Sequence, residues 1–176
     1  TSPQPDPYPG LAAGQGILVD ADAASRLVRA ISAATGKVLW QMRLPTKADV
    51  IGAPAIHGDT VLVSDGVAGL YAFNLTNGTT RWSIGISNVT VAAAICSNFF
   101  CVTSFTATNY VLSCRSLANG GMLWQAGFLG PIPSPPELTD VNDDGVLDVI
   151  TLCDNGFVYA LDGRNGEVLW RYQHSP

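Results

Sequence analysis

The four tryptophans of this 176-residue chain recur at a nearly constant interval. They stand at positions 40, 82, 124 and 170, with spacings of 42, 42 and 46 residues. A glycine lies four residues before each tryptophan, and asparagine or threonine precedes that glycine. One glycine-to-tryptophan spacing repeated four times is typical of a repeat architecture. The interval therefore predicts four copies of one structural unit, each about 40 residues long.

Each copy has the pattern of a small antiparallel sheet. Thr-Gly or Asn-Gly between two alternating runs predicts a tight hairpin, because such turns need positive φ. A small residue stands ten positions before each tryptophan, and we expect it to let one sheet lie close to the next while the indole packs across the gap. Short strands upstream, such as Gly16–Asp20, bring the count to about four per copy.

Units of this size and strand number predict an all-β fold of four β-propeller blades. We place the blades at about 11–46, 47–88, 89–130 and 131–174, after a proline-rich tether at 1–10. A β-sandwich or a solenoid of similar strands is the alternative, but a sandwich would not repeat the glycine-to-tryptophan spacing. No helical periodicity of useful length is present.

The register of small residue, Thr/Asn-Gly and tryptophan resembles the tryptophan-docking repeat of pyrroloquinoline-quinone (PQQ) dehydrogenases. The clearest copy is YALDGRNGEVLW at 159–170, and the resemblance runs from about Gly10 to Tyr172. This resemblance implies a β-propeller. The repeat also occurs in non-catalytic relatives, among them a bacterial outer-membrane assembly scaffold and eukaryotic luminal or cell-surface ectodomains. It therefore indicates fold strongly and chemistry weakly.

A loop in the fourth blade has the spacing of a calcium ligand set. The segment fits D-x-N-x-D-G-x-x-D, with Gly145 at the sharp bend. Oxygen side chains at alternate positions suit Ca²⁺, which takes six to eight oxygen ligands. It looks like the calcium loops of integrin-type FG-GAP blades, and the alternative is a solvated acidic turn. The predicted ligands are Asp140, Asn142, Asp144, the carbonyl of Val146 and Asp148.

Four cysteines indicate an oxidising compartment if they pair. Cys96 and Cys101 bracket a turn-sized gap between two apolar runs, so we predict a hairpin-closing disulfide between them, with two buried thiols as the alternative. A second pair, Cys114 with Cys153, is a weaker expectation.

Three N-glycosylation sequons begin at Asn74, Asn77 and Asn88. Asn77 stands in the predicted hairpin turn of the second blade, which is the exposed position that a glycan needs. Together with the cysteines and the calcium motif, the sequons predict a glycoprotein that is extracellular, at the cell surface or in the secretory lumen.

The charge of the chain argues against several partners. Its net charge is −5 and only 13% of its residues are charged, with no basic cluster for a nucleic-acid backbone. No apolar run approaches the length of a membrane helix.

We therefore predict a non-catalytic scaffold or interaction module with Ca²⁺ as its cofactor and no catalytic or organic-cofactor site. Its expected partner is a protein or a glycan. Four blades leave open sheet faces, so we also expect self-association, as a two-copy ring or a filament, or further blades of a longer chain. The alternatives are a fragment of a PQQ-dependent dehydrogenase and an integrin-like adhesion head.

Overall fold

The computed structural model describes residues 10–22, 25–45, 53–65, 69–89 and 93–173. The predicted tether at 1–10 therefore lies outside the described residues, except for Gly10, which begins the first strand.

Within these described ranges, sixteen strands form four sheets of four strands each. The first two sheets contain β1 Gly10–Gly14, β2 Ile17–Asp22, β3 Leu27–Ser32, β4 Val38–Arg43, β5 Ala55–His57, β6 Thr60–Ser64, β7 Gly69–Asn74 and β8 Thr80–Gly85. The other two contain β9 Ala94–Ile95, β10 Phe99–Phe105, β11 Tyr110–Ser116, β12 Met122–Phe128, β13 Glu137–Thr139, β14 Asp148–Cys153, β15 Phe157–Leu161 and β16 Val168–Gln173.

Within every sheet the strands follow chain order and pair antiparallel. This arrangement confirms the predicted all-β class and the four-stranded blades, which we number 1 to 4. The described residues include no helix. The chain divides into two compact units, Thr1–Ala92 with blades 1 and 2 and Ala93–Pro176 with blades 3 and 4.

The third and fourth strands of every blade are joined by the same turn. In blade 2 the amide of Gly78 donates to the carbonyl of Asn74 at 2.9 Å, and Asn74 in turn donates to Thr79. The turn glycines of all four blades have φ between 68° and 76°, so glycine avoids the strain of a Cβ there. The Asn77 side chain accepts the Thr79 amide, which explains why Asn or Thr precedes each glycine.

Tryptophan docking joins the two blades of the first unit. The Trp40 indole donates from Nε1 to the carbonyl of Leu75 at 2.8 Å. Its ring covers the turn glycine of blade 2, where a Cβ on Gly78 would lie 2.7 Å from the ring. The interface between these blades buries an apolar cluster that includes Val28, Val61 and Phe73.

The second unit repeats this contact with different residues. Trp124 is 6% exposed, and its Nε1 donates to the carbonyl of Gly163 at 2.9 Å. A Cβ on Gly166 would overlap the Trp124 ring. The indole of one blade therefore packs on the turn of the next blade in both units.

The small residues ten positions before each tryptophan have a different role from the one that the sequence suggested. Ala30 lies directly opposite Trp40 in its own sheet, and Ala160 lies opposite Trp170. Across the gap, the Trp40 and Trp124 indoles cover the turn glycines of the neighbouring blade, a contact that the sequence did not indicate. The small residue leaves room on the same sheet for the indole.

We expect Gly166→Ala to lower the free energy of unfolding by about 1–3 kcal/mol more than Gly16→Ala does. Both glycines have positive φ, 76° and 74°, so both substitutions carry a similar backbone penalty. Only the methyl group at position 166 meets an indole, whereas no heavy atom lies within 4 Å of a Cβ at position 16. Urea unfolding of the two variants measures the difference, and equal losses would contradict the docking contact.

Candidate functional site

The predicted calcium loop connects β13 to β14 in blade 4. Its bend is made by two residues with positive φ, Asp143 at 59° and Gly145 at 82°. Glycine and aspartate are among the residues that tolerate this conformation. The sequence thus places a sharp bend at the position that the motif requires.

Asp140 closes the loop by accepting backbone amides. Its Oδ1 accepts from Asp144 at 3.1 Å and its Oδ2 accepts from Gly145 at 2.8 Å. These amide donors, first of all that of Gly145, lower the pKa of Asp140 below its ordinary value because they stabilise the charged carboxylate. Asp140 is therefore an anion whose oxygens point into the bend.

Asp148 is fully buried at the other end of the loop. Its Oδ2 accepts the amide of Val141 at 3.0 Å, and its Oδ1 accepts the amide of Gly163 at 3.0 Å. The carbonyl of Gly163 is the group to which the docked Trp124 indole donates. One buried carboxylate therefore links the loop to the indole that joins blades 3 and 4.

A positively charged side chain lies at the mouth of the loop. Arg164 Nη1 donates to Asp144 Oδ2 at 2.6 Å, and Nη2 donates to the Asp144 carbonyl at 3.2 Å. The Arg164 side chain is 52% exposed but that of Asp144 only 22%, so the ion pair is partly buried. The guanidinium therefore competes with a metal ion for the Asp144 carboxylate.

The fit of the loop to Ca²⁺ is incomplete in this conformation. Across the described residues, no three Asp, Glu, His or Cys side chains converge as metal ligands. Asp140, Asn142 and Asp144 lie in the bend, but Asp140 and Asp148 each direct both carboxylate oxygens to backbone amides. The calcium site of Asp140, Asn142, Asp144, Val146 and Asp148 thus stays a prediction, and Arg164 is a neighbour that the motif did not reveal.

The disulfide lies between different cysteines from those predicted. Cys101 on β10 is bonded to Cys114 on β11, with 4.2 Å between their Cα atoms. Cys96 and Cys153 are free and buried, so the predicted pairs of Cys96 with Cys101 and of Cys114 with Cys153 are both wrong. The reason is register, because β9 pairs with β10 so that Ala94, not Cys96, lies opposite Cys101.

Both free thiols have hydrogen-bond acceptors within blades 3 and 4. Cys96 Sγ donates to the carbonyl of Phe99, and Cys153 Sγ donates to that of Gly130, each at 3.3 Å. They pack in the same apolar cluster as the disulfide. Buried, partnered thiols of this kind are structural rather than reactive.

We expect alkylation of the native protein, followed by unfolding and mass mapping, to show a Cys101–Cys114 link and two thiols that react only after unfolding. Replacing both linked cysteines with serine should lower stability by about 3 kcal/mol, the loss expected for a loop of this length. A Cys96→Ser and Cys153→Ser variant serves as the control that keeps the disulfide. A peptide linking Cys96 to Cys101 would contradict the pairing.

The three sequons differ in accessibility. Asn74 Nδ2, the atom that would carry a glycan, donates to Asp59 Oδ2 at 2.6 Å. Asn77 is exposed, and its Oδ1 accepts the Thr79 amide at 3.0 Å. Asn88 is half-buried with φ of 56°. Glycosylation stays a prediction at all three, and the surroundings favour Asn77.

The described chain also has a shallow cleft in its second unit. It has a volume of about 280 Å³ and lies between β9 and β13, lined by Ala94, Ile95, Pro136, Glu137 and Leu138. Among the described residues that line it, Glu137 is the ionisable one.

Four-stranded antiparallel blades joined by docked tryptophans define the class of PQQ-type β-propeller repeat proteins. The family model described as outer membrane protein assembly factor BamB, a PQQ-type repeat model, matches residues 3–104. The chain belongs to this family.

The individual proteins that are similar to this chain include two named as enzymes and one BamB protein. Tetrathionate hydrolase of Acidithiobacillus ferrooxidans is 26% identical over 158 residues, which are 81% of this chain and 30% of that protein. The structure of BamB from Moraxella catarrhalis has a TM-score of 0.77 at 19% identity, over 96% of this chain and 48% of that one. A europium-containing methanol dehydrogenase has a TM-score of 0.75 at 16% identity, over 93% and 41%.

These similarities support the fold and a PQQ/BamB-type domain. The chain spans about a third of the curated relative and about half of the BamB structure. Its structural relatives include both an assembly factor and an enzyme that contains a metal ion. No helix within the described ranges is long and apolar enough to cross a membrane.

Proposed function

We propose that the protein is a non-catalytic interaction scaffold that binds an extended protein segment outside the cytosol. The observation that carries this proposal is an apolar pair exposed on the fourth strand of three blades. Val38–Leu39, Met122–Leu123 and Val168–Leu169 occupy the two positions before the tryptophan, and each of the six side chains is at least 37% exposed. Exposed apolar groups in one repeated position are typical of a contact surface.

The strands that carry these pairs are also sheet edges. β4, β12 and β16 are each the last strand of their sheet, so one side of their backbone lacks a ladder partner within the blade. An extended peptide can pair with such an edge and place alternate side chains against the apolar residues. In blade 2 the same positions are Thr80 and Arg81, and Arg81 forms an ion pair with Asp59, so blade 2 is the least suited to this mode.

Calcium is the cofactor in this proposal, and its role is structural. The bend of the loop is preformed, and Asp140, Asn142 and Asp144 supply oxygens to it. When bound, the ion would balance the charge of the Asp140 and Asp144 carboxylates and stabilise the loop. Binding would require the Arg164 guanidinium to leave Asp144 Oδ2, and the 52% exposed Arg164 side chain can turn towards solvent.

We expect 100-fold excess of Ca²⁺ over its Kd to raise the melting temperature by about 5–10 °C relative to EDTA, the linkage expected for a single site. Asp140→Asn should reduce this shift strongly. Asp143→Asn is the matched control, since Asp143 lies in the same loop but outside the ligand set. Differential scanning fluorimetry and calorimetric titration with CaCl₂ measure the effect, and identical curves with Ca²⁺ and EDTA would refute the calcium role.

The disulfide and the exposed Asn77 sequon support a location outside the cytosol. Cytosolic thiol reductants would keep Cys101 and Cys114 reduced unless burial protected them. A periplasmic, extracellular or luminal compartment fits a domain of this family.

A fragment of a quinone-dependent dehydrogenase is the second candidate, favoured by the similarity to the methanol dehydrogenase structure. It predicts a quinone absorbance and dye-linked alcohol oxidation when the purified protein is mixed with PQQ and Ca²⁺. The scaffold predicts neither.

A further inference from the structure

The last strand of blade 1 differs in charge from the last strands of the other blades. We call the last strand of each blade its outer strand. Lys37 stands directly before β4 and Arg43 ends it, and both side chains are exposed. The equivalent positions, three residues before and three after the tryptophan, hold Thr79 and Gly85 in blade 2, Gly121 and Gly127 in blade 3, and Glu167 and Gln173 in blade 4. Of the four described outer strands, β4 is therefore the one with a cation at each end.

Both cations lack an acidic partner. Within the part of the chain that the structure describes, neither the Lys37 ammonium nor the Arg43 guanidinium forms an ion pair, a side-chain hydrogen bond or a ring contact. Three other basic side chains, those of Arg29, Arg81 and Arg164, form ion pairs with aspartates. Carboxylates outnumber cations in this chain, 14 to 9, so unpaired cations are not a result of scarce acids. Two such cations beside an exposed apolar pair indicate a surface that complements a negatively charged partner.

The backbone of β4 offers hydrogen-bonding groups along the same edge. The amide of Leu44, the residue after β4, donates to the carbonyl of Arg26 at 3.0 Å. Because the backbone groups of an antiparallel strand alternate in direction, those of Met42 also face β3, and those of Gln41 and Arg43 face away from it. β4 is the last strand of its sheet, so an extended peptide can pair with these outward groups.

The exposure of these positions is a property of the blade itself. Blade 4 follows blade 3 within the second unit, and its equivalent pair Val168–Leu169 is exposed, as are Glu167 and Gln173. Outer strands therefore keep these positions open when a preceding blade is present. In blade 1 the Val38–Leu39 pair is 52% and 49% exposed and lies between the two cations.

We propose that β4 binds an extended segment of another protein that is apolar in its centre and carries a carboxylate near each end. The backbone of the segment would pair with the outward groups of Gln41 and Arg43. Its apolar side chains would cover the Val38–Leu39 pair, and its carboxylates would meet Lys37 and Arg43. These cations stand six residues apart, about 20 Å along a strand, which sets the spacing of the carboxylates. The inference rests on the proposed scaffold function and adds the strand and the chemistry of the partner.

The probe is a synthetic peptide of alternating valine and threonine with aspartate at both ends, DVTVTVD, which has blocked termini and a fluorophore. Fluorescence anisotropy with the whole chain measures its binding. We expect DVTVTVD to bind more tightly than NVTVTVN, in which asparagine replaces aspartate, and KVTVTVK to bind least tightly. The affinity for DVTVTVD should fall as NaCl rises from about 50 mM to about 500 mM, because salt screens exposed charges.

Charge reversal tests the role of the two cations. Lys37→Glu combined with Arg43→Glu should weaken the binding of DVTVTVD by about 10-fold or more and make KVTVTVK the preferred peptide. Arg171→Glu is the control, since Arg171 is an exposed arginine on another outer strand, β16. This control should leave the binding of DVTVTVD unchanged.

Proline substitution tests the backbone pairing. Gln41→Pro removes an outward amide that the sheet does not use, and proline is tolerated at such edge positions. It should abolish peptide binding, whereas Gln125→Pro, the equivalent change on β12, should not. Circular dichroism and thermal melts check that both variants are folded. In the peptide, N-methylation of one alternate set of amides should abolish binding, and N-methylation of the other set should not.

Three results would overturn the inference. Equal binding of DVTVTVD and KVTVTVK would refute the charge complementarity. Binding that is lost in Gln125→Pro but kept in Gln41→Pro would assign the peptide to β12 and leave the scaffold proposal standing. Absence of binding by all three peptides would contradict both this inference and the edge pairing of the proposed function.

Discussion

The contact between an indole and the turn glycine of the next blade is the interaction on which this fold depends. A blade of four strands buries little by itself, and its faces must be covered by a neighbour. Trp40 and Trp124 each provide a large apolar ring and one hydrogen bond to the backbone carbonyl of a buried residue. Glycine is required on the other side, because positive φ and the ring together exclude a Cβ.

This constraint explains why the fold was visible in the sequence. In every blade a turn glycine with positive φ lies four residues before the tryptophan. Neither residue is easily replaced, and the short turn and strand between them fix their spacing. That distance does not change when outer loops vary, so the repeat survives in the alignment of the four copies. The positions of the last turn and the last strand of every blade follow from it.

The pairing of the disulfide could not be predicted from the repeat spacing. Cys101 lies opposite Cys114 because of the register between β10 and β11, and that register depends on the length of the hairpin Phe105–Tyr110. The stretch between the small residue and the residue paired with it on the second strand differs in length among the blades, so the distance from tryptophan back to the second strand is not constant. Val19 and Ile150 occupy the position equivalent to Cys101, at 21 and 20 residues before their tryptophans, compared with 23 for Cys101. Cys96 was the nearer cysteine in sequence, but its strand places Ala94 opposite Cys101.

The calcium motif was recognisable as a pattern, but its surroundings were not. The bend at Gly145 follows from local sequence, whereas the approach of Arg164 depends on how the last hairpin of blade 4 folds back. The same folding brings Gly163 next to Asp148. The surroundings of the loop carboxylates therefore depend on tertiary contacts, which the spacing of the motif residues does not predict.

The buried carboxylate of Asp148 has a consequence for how the protein responds to force and heat. It holds one end of an acidic loop and one end of a hairpin, and the hairpin holds an indole from the blade before. Loosening any of the three elements removes a hydrogen-bond partner from the next, so they should open as a single cooperative unit rather than fray one by one. A change in the exposed acidic loop of blade 4 should therefore alter the contact between blades 3 and 4, because Asp148 and Gly163 connect the two.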